Sequence, residues 1–350
     1  MRVLVVTSSP PFVEGGHLVI ARELVRACRA EGHEADLVVT PQNRFGRQGA
    51  AYLAAWLTDV GVAADGAPVD RVISLRYPAF AVRHPRHTCW LNHTMREYYD
   101  LWPRFSSALS WKNRLKESAR RILVHAADRR CFARMQARYA ISATVQARLA
   151  AHGIASDVLL PPPPARPYRC DEYGDYVFAV SRLTPLKRFD LLLEALARPA
   201  AKHVRAVIAG DGEAREALVA QARRLDLEGR VQFTGRLGDA AMLDHYARCR
   251  AVAFLPFDED YGFVTAEAFA SGKPVITCRD SGGPTELVED GVSGRIVAPT
   301  ADAVADALAG LMDDRDGAAR MGEAARHRIA SLAWPATVAR LLAGPAAAQG

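Results

Sequence analysis

The stretch YVFAVSRLTPLKRFDLLLEALA, residues 176–197, decides the fold. Tyr176–Val180 is a continuous apolar run of strand length, which suits a strand covered on both faces. From Arg188 to Ala197 the apolar residues Leu191, Leu192, Ala195 and Leu196 recur at helical spacing. Between them lies a loop, Ser181–Lys187, with one proline and two basic side chains. The unit repeats downstream. Strands at His203–Ala209, Arg230–Phe233, Ala251–Leu255 and Pro274–Thr277 alternate with helices at Ala214–Leu225, Ala240–Arg248 and Val264–Ser271. Two helices, near Ala301–Met312 and Ala318–Ala330, close this part, and a last one near Ala336–Leu342 follows Trp334-Pro335. Strands alternating with helices predict an α/β fold built on a parallel, doubly wound sheet.

The same grammar runs upstream. A strand Arg2–Val6 leads through Gly15-Gly16 into a helix His17–Glu31 with Leu18, Ala21, Leu24, Val25 and Cys28 on one face. Gly32-His33 ends it, Ala35–Val39 is the next strand, and short apolar runs follow at Val72–Leu75, Thr88–Leu91 and Arg138–Ile141. Four consecutive prolines, Pro161–Pro164, cannot join a helix or a central strand and read as a stiff linker. A rigid loop inside one domain is the alternative. The expected organisation is a first Rossmann-like domain over 1–160 and a second over 161–330. Residues 331–350 form a C-terminal helix, packing back on the first domain, and a tail. Ligands of such sheets bind beyond the carboxyl ends of the strands, so two of them joined by a linker would face those edges across a cleft.

Length and composition fit this outline. The chain has 350 residues, half of them hydrophobic and 24% charged, which suits two globular domains and excludes wholesale disorder. No apolar run is long enough to cross a bilayer, and Met1–Phe12 reads as a first strand, not as a leader. Six scattered cysteines without a C-x-x-C pair argue against a disulfide framework or structural zinc, so a cytoplasmic location is expected. The net charge of +6 is uneven: residues 1–160 hold 22 basic against 13 acidic residues, the remainder 23 against 26. A basic half suits an anionic partner, but no nucleic-acid reader motif is present.

Four strand-to-helix loops carry the chemistry. Arg182 and Lys187 place two fixed charges beside a helix start, as a diphosphate requires; a solvated basic loop is the bland alternative. Gly210-Asp211-Gly212-Glu213 is a tight turn that lets a flat ring approach the backbone. In Pro256–Glu267, Glu259 lies in the loop, Gly262, Phe263, Val264 and Thr265 begin a helix with free N–H groups, and Glu267 follows one turn on. Hydroxyl acceptors at both ends with N–H donors between them suit a sugar, an anionic bridge and a second sugar. Asp280–Glu286 adds two glycines, a proline at a helix start and another carboxylate.

These loops resemble those of the retaining glycosyltransferases of family 4, whose GT-B architecture sets two Rossmann-like domains face to face. Glu259 and Glu267 match that family's paired-glutamate spacing, Ser181–Lys187 its phosphate-binding segment, and Gly210–Gly212 its glycine turn. Ser271–Pro274 with Gly282–Glu286 resembles its characteristic tail. Gly15-Gly16 and Gly32-His33 resemble its donor loop and helix ending, and Leu91–Asp100 a stretch of one subgroup. The resemblance implies roles. Glu267 binds the ribose hydroxyls; Glu259 and the N–H groups of Gly262, Phe263 and Val264 hold the transferred sugar. Arg182 and Lys187 neutralise the departing diphosphate, with Gly210 in the donor pocket and the Gly15 and Gly16 backbone assisting. His93 meets the donor sugar, a structural hydrogen bond being its ordinary alternative.

The implied reaction is retaining transfer of a hexosyl group from a nucleotide diphosphate sugar to a hydroxyl acceptor, with no metal and no other cofactor. A sugar phosphorylase or a nucleotide-sugar epimerase on the same fold is the alternative. A periplasmic-type sugar-binding protein fits less well, given the Arg182/Lys187 pair. The acceptor, a glycan, a lipid-linked saccharide or a small molecule, is expected on first-domain loops carrying Tyr98, Tyr99, Trp102 and Trp111, whose aromatic faces suit sugar rings; internal packing is the commoner alternative for such residues. A basic helical stretch from Arg114 to Arg138, with Lys116, Arg120, Arg121, Arg129, Arg130 and Arg134, either rests on an anionic membrane or is a solvated helix face.

Overall fold

The structure, a computed structural model, describes residues 1–12, 15–42 and 45–343. The tail of the 331–350 segment from residue 344 lies outside them. The chain divides into two compact units: Met1–Pro164 together with the segment from Leu332, and Ala165–Ser331.

The first unit runs β1 (Arg2–Ser9), α1 (Gly16–Ala30), β2 (Glu34–Pro41), α2 (Gln48–Leu57), β3 (Arg71–Ser74) and β4 (His87–Leu91). It continues with α3 (Trp102–Ser107), α4 (Trp111–Ala133), β5 (Ala137–Ala140), α5 (Ala143–Ala150) and β6 (Asp157–Val158). All six strands are parallel, in the order β2-β1-β3-β4-β5-β6. α1 buries the face its spacing promised, Leu18, Ala21, Leu24, Val25 and Cys28, and ends before Gly32 at φ +77°. The basic stretch read as one helix to Arg138 is shorter. α4 stops at Ala133, and Arg138 sits on β5, where its guanidinium donates to Ala155 O and Phe132 O at 2.9 Å.

The second unit runs β7 (Tyr176–Val180), α6 (Phe189–Leu196), β8 (Arg205–Ala209), α7 (Arg215–Arg224), β9 (Val231–Gly235) and α8 (Asp239–Arg248). Then come β10 (Ala251–Ala253), α9 (Phe263–Ala270), β11 (Val275–Cys278), α10 (Pro284–Leu287), β12 (Gly294–Val297), α11 (Ala301–Asp313) and α12 (Arg315–Ala330). Its six parallel strands are ordered β12-β11-β10-β7-β8-β9. The chain builds outward from β7 to β9, returns, and builds the other way from β10. The order therefore reverses between β7 and β10, where ligands of open parallel sheets bind. The core packs Val177, Ala179, Leu192, Leu196, Ile208, Ile276 and Leu308 from strands and helices together.

The last helix, α13 (Trp334–Ala343), belongs to the first unit. Trp334 Nε1 donates to Pro163 O at 3.0 Å, its ring meets Trp90 edge-on at 6.2 Å, and Thr88 Oγ1 donates to Leu341 O.

Of the candidate acceptor aromatics, Tyr98 and Tyr99 take the packed alternative and are buried. The Tyr99 hydroxyl donates to Asp128 Oδ2 at 2.6 Å, and Tyr52 donates to Oδ1 of the same carboxylate. Burial pushes Asp128 up to about 7, against the lowering influence of those two hydroxyls. Between its unfolded value near 4 and its folded value, the native state therefore holds a proton that the unfolded chain has lost. Asp128 makes stability fall as pH rises through that window, by at most about 1.4 kcal/mol per pH unit. Buried His87, pushed down to about 4, slopes the other way below its ordinary value. Urea unfolding from pH 4 to 8 should show Asp128→Asn losing stability less steeply with pH than the wild type. Parallel curves for the two proteins would contradict the assignment.

Candidate functional site

The candidate residues of the second unit lie in loops at the carboxyl edge of its sheet or in the first turns of α9, which follows one of them. The loop after β7 carries Arg182, exposed, and Lys187, half-buried; the loop after β10 carries Glu259. These are the two strands flanking the reversal of strand order. Lys187 Nζ and a Glu259 carboxylate oxygen form an ion pair there, and Lys187 Nζ stands 5.5 Å from the Phe254 ring centre. Paired-glutamate spacing and basic loop thus converge, though 72 residues separate the partners.

Backbone hydrogen bonds join the four loops into one shelf. Leu183 N–H donates to Asp211 O at 3.0 Å, Phe257 N–H to Leu186 O at 2.8 Å, and Asp258 and Glu259 N–H to Asp280 O and Ser281 O at 2.9 and 2.8 Å. Gly283 N–H returns to Glu259 O at 2.9 Å. The glycines make this possible. Gly210 has φ +131°, and a Cβ there would collide with Ser181 O, so its missing side chain admits a neighbouring loop. Gly262, at φ +84°, caps α9, and Phe263 and Val264 form its first turn. A Cβ on Gly262 would strike the Phe254 ring and Pro284.

Glu267, one turn into α9, is buried, with Oε1 accepting from Arg166 Nη1 at 2.9 Å and Oε2 from the Tyr246 hydroxyl at 3.0 Å. Burial raises its pKa, and Arg166 and Tyr246 oppose that shift. Each oxygen keeps a second lone pair, so the carboxylate is oriented and still able to accept.

Sequence reasoning missed Arg188. Its backbone is left-handed, φ +51°, and its side chain reaches across the shelf. Nε donates to Leu255 O at 2.7 Å, Nη2 to Pro256 O at 2.7 Å, and the fork takes both Asp280 oxygens at 2.8 and 2.7 Å. Its side chain thus binds the loops after both β10 and β11. Arg166 was missed as well; 101 residues separate it from Glu267, and no spacing could join them.

The remaining candidates belong to the first unit. Gly15, at φ −167°, is the N-cap of α1, and Gly16 opens that helix, directly after the β1 loop. In this sheet the order reverses between β1 and β3, so these glycines lie at its own switch point. His93 follows β4, with Nδ1 donating to Thr94 O at 2.7 Å. Beside it, Asn92 Oδ1 is buried with no hydrogen-bond partner among the described residues, an acceptor that a bound hydroxyl would satisfy. Among the described residues no cluster of His, Cys, Asp and Glu could hold a metal ion, and no helix is long and apolar enough to cross a membrane.

The family model for group 1 glycosyl transferases matches residues 167–328, nearly the whole second unit. D-inositol 3-phosphate glycosyltransferase of Corynebacterium glutamicum is 34% identical over 46% of this chain and 41% of its own length. GDP-mannose-dependent alpha-(1-6)-phosphatidylinositol monomannoside mannosyltransferase of Mycolicibacterium smegmatis is 34% identical over 54% of this chain and 53% of its own. The chain thus spans about half the length of the curated relatives it matches. Whole-chain likeness is structural. Sucrose-phosphate synthase of Thermosynechococcus elongatus superposes with a TM-score of 0.74 at 16% identity, covering 97% of both chains. Anabaena HepE, solved with UDP and glucose, gives 0.69 at 21% identity, covering 97% of this chain and 98% of that one. The fold is therefore GT-B. Residues 167–328 are thus similar in sequence to the group 1 glycosyl transferases.

Proposed function

We propose that this protein is a retaining glycosyltransferase that moves a hexosyl group from a nucleotide diphosphate sugar to an acceptor hydroxyl. The supporting observation is the meeting of Lys187 with Glu259 at the strand-order reversal, with Arg182 in the same loop. Breaking the anomeric C–O bond passes through a transition state of oxocarbenium character while negative charge builds on the diphosphate. Arg182 and Lys187 neutralise that charge, so the reading calls for no metal and no further cofactor, and activity should survive a chelator. The acceptor hydroxyl attacks on the face the diphosphate leaves; its oxygen bonds to the anomeric carbon, and its proton passes to a leaving-group oxygen. No protein nucleophile is assigned. Glu259 and the α9 N-terminus hold the transferred sugar, and Glu267, steadied by Arg166 and Tyr246, accepts from the ribose hydroxyls.

The first unit supplies the acceptor side, with His93, Gly15 and Gly16 assisting the donor. The acceptor is lipid-linked in this reading. On α4, Trp111, Leu115, Ile122 and Leu123 are each at least 69% exposed, at helical spacing, among Lys112, Arg114, Lys116, Arg129 and Arg130. An apolar stripe with basic flanks suits the surface of an anionic membrane at the cytoplasmic face.

Thermal shifts with UDP, GDP, ADP and dTDP test the donor reading. A nucleotide at 100 times its Kd stabilises by about 2.7 kcal/mol. Stabilisation by none of the four, together with no sugar release from their sugar conjugates, would sink the proposal. Glu267→Ala should weaken the active nucleotide about tenfold to a hundredfold by calorimetric titration, the loss of a charge-assisted hydrogen-bond acceptor. An unaltered Kd would remove Glu267 from the ribose.

A further inference from the structure

The first unit has a second concave site, at the opposite edge of its sheet from Gly15, Gly16 and His93. Arg83, His84 and Pro85 precede β4, His87 begins it, and Trp56 and Arg134 stand at the ends of α2 and α4; these line a cavity of about 470 Å³. The guanidinium carbons of Arg83 and Arg134 lie 4.8 and 4.9 Å from the centre of the same Trp56 ring. A guanidinium held over an indole by cation–π attraction engages the ring and no hydrogen-bond acceptor, so both arginines are positioned with their N–H donors available.

No aspartate or glutamate lines this cavity, and neither arginine has an ion pair among the described residues. The contrast is a cavity of about 420 Å³ in the second unit, where Arg205, Arg230 and Arg248 share the lining with the acids Asp175, Glu228 and Asp244, and Arg205 pairs with Asp175 at 3.4 Å. The histidines do not neutralise the arginines. His84 donates from Nε2 to Val69 O at 3.0 Å and accepts at Nδ1 from the Arg86 N–H at 3.1 Å, while buried His87 is held to Ser74 Oγ at 2.8 Å. Two uncompensated, pre-oriented guanidinium groups beside an apolar hollow match the oxygens of a phosphate and a compact body attached to it.

We propose that the Trp56–Arg83–Arg134 cavity binds the phosphate group of an anionic ligand, at a site separate from the donor loops. This inference does not depend on the proposed transferase activity. The phosphate belongs either to a soluble metabolite or to a lipid headgroup, and the probes distinguish these sources.

The indole N–H signal of Trp56, assigned by its loss in Trp56→Phe, is followed by NMR in the full chain. It is titrated with inorganic phosphate and with dihexanoyl phosphatidic acid, a soluble short-chain lipid. A saturable shift with phosphate identifies a soluble ligand; a saturable shift with the lipid alone identifies a headgroup. Either response should weaken at least tenfold in the Arg83→Ala/Arg134→Ala protein. Both side chains are exposed and bond to no other described group, so this variant should keep the wild-type melting temperature. No saturable shift with either probe, or a shift that survives the double substitution, overturns the proposal.

Discussion

Replacing Arg182 and Lys187 together with alanine should lower kcat/KM for sugar transfer by roughly 10²–10³, the usual cost of removing preorganised charge from a developing oxyanion. The two singles should not be equal. Arg182 is exposed, so water and salt replace part of its charge when it is lost. Lys187 is half-buried against the Phe254 ring and paired with Glu259. Its removal deletes a cation and also leaves the Glu259 carboxylate uncompensated beside the departing diphosphate, where like charges repel. Lys187→Ala should therefore be the slower single variant, and its deficit should shrink least at high ionic strength. Initial rates with saturating acceptor check this ordering. A double variant with wild-type turnover would remove the electrostatic assignment altogether, whereas loss confined to donor KM would mean binding without transition-state stabilisation.

Much of this site was legible because its elements are local. Tyr176–Val180 is an apolar run, α6 follows with helical spacing, and the intervening loop shows its two cations in plain order. The same holds for Glu259 and Glu267, whose spacing sets one in a loop and the other a turn into α9. Elements with weak local signals were missed. β12 opens on a glycine and carries a charged Arg295; only the tertiary fold explains it, since a Cβ on Gly294 would collide with Val275 O. α2 and α5 also went unread, being short and rich in alanine. The aromatic pair Tyr98 and Tyr99 misled for the converse reason. Their aromatic faces suit a sugar ring, but their hydroxyls meet Glu117 and Asp128, residues 19 and 29 positions away, and the rings are packed inside. Partnerships across such distances are set by packing, which local pattern does not encode.

Arg188 is the sharpest case and gives the second large effect. Arg188→Ala should destabilise the second unit by about 2–3 kcal/mol, because it removes a bidentate partner from the partly exposed Asp280 and strips donors from Leu255 O and Pro256 O. The lost side-chain bonds can be separated from the cost of the backbone conformation, which arginine and alanine share. The left-handed backbone costs a residue with a Cβ about 1–2 kcal/mol, which glycine does not incur. Arg188→Gly should thus be the milder substitution by about that amount, while still losing every side-chain bond. Asp280→Ala should match the loss of the fork alone, leaving the contacts to the two carbonyls. Urea unfolding of the three variants gives these differences directly. Function follows from the same geometry. The guanidinium sets the Glu259 loop against the loop that begins α10, so Arg188→Gly should raise donor KM even where the protein remains folded. Rates indistinguishable from wild type in folded Arg188→Gly would show that the shelf holds its shape through backbone bonds alone, and that the arginine serves stability without positioning Glu259.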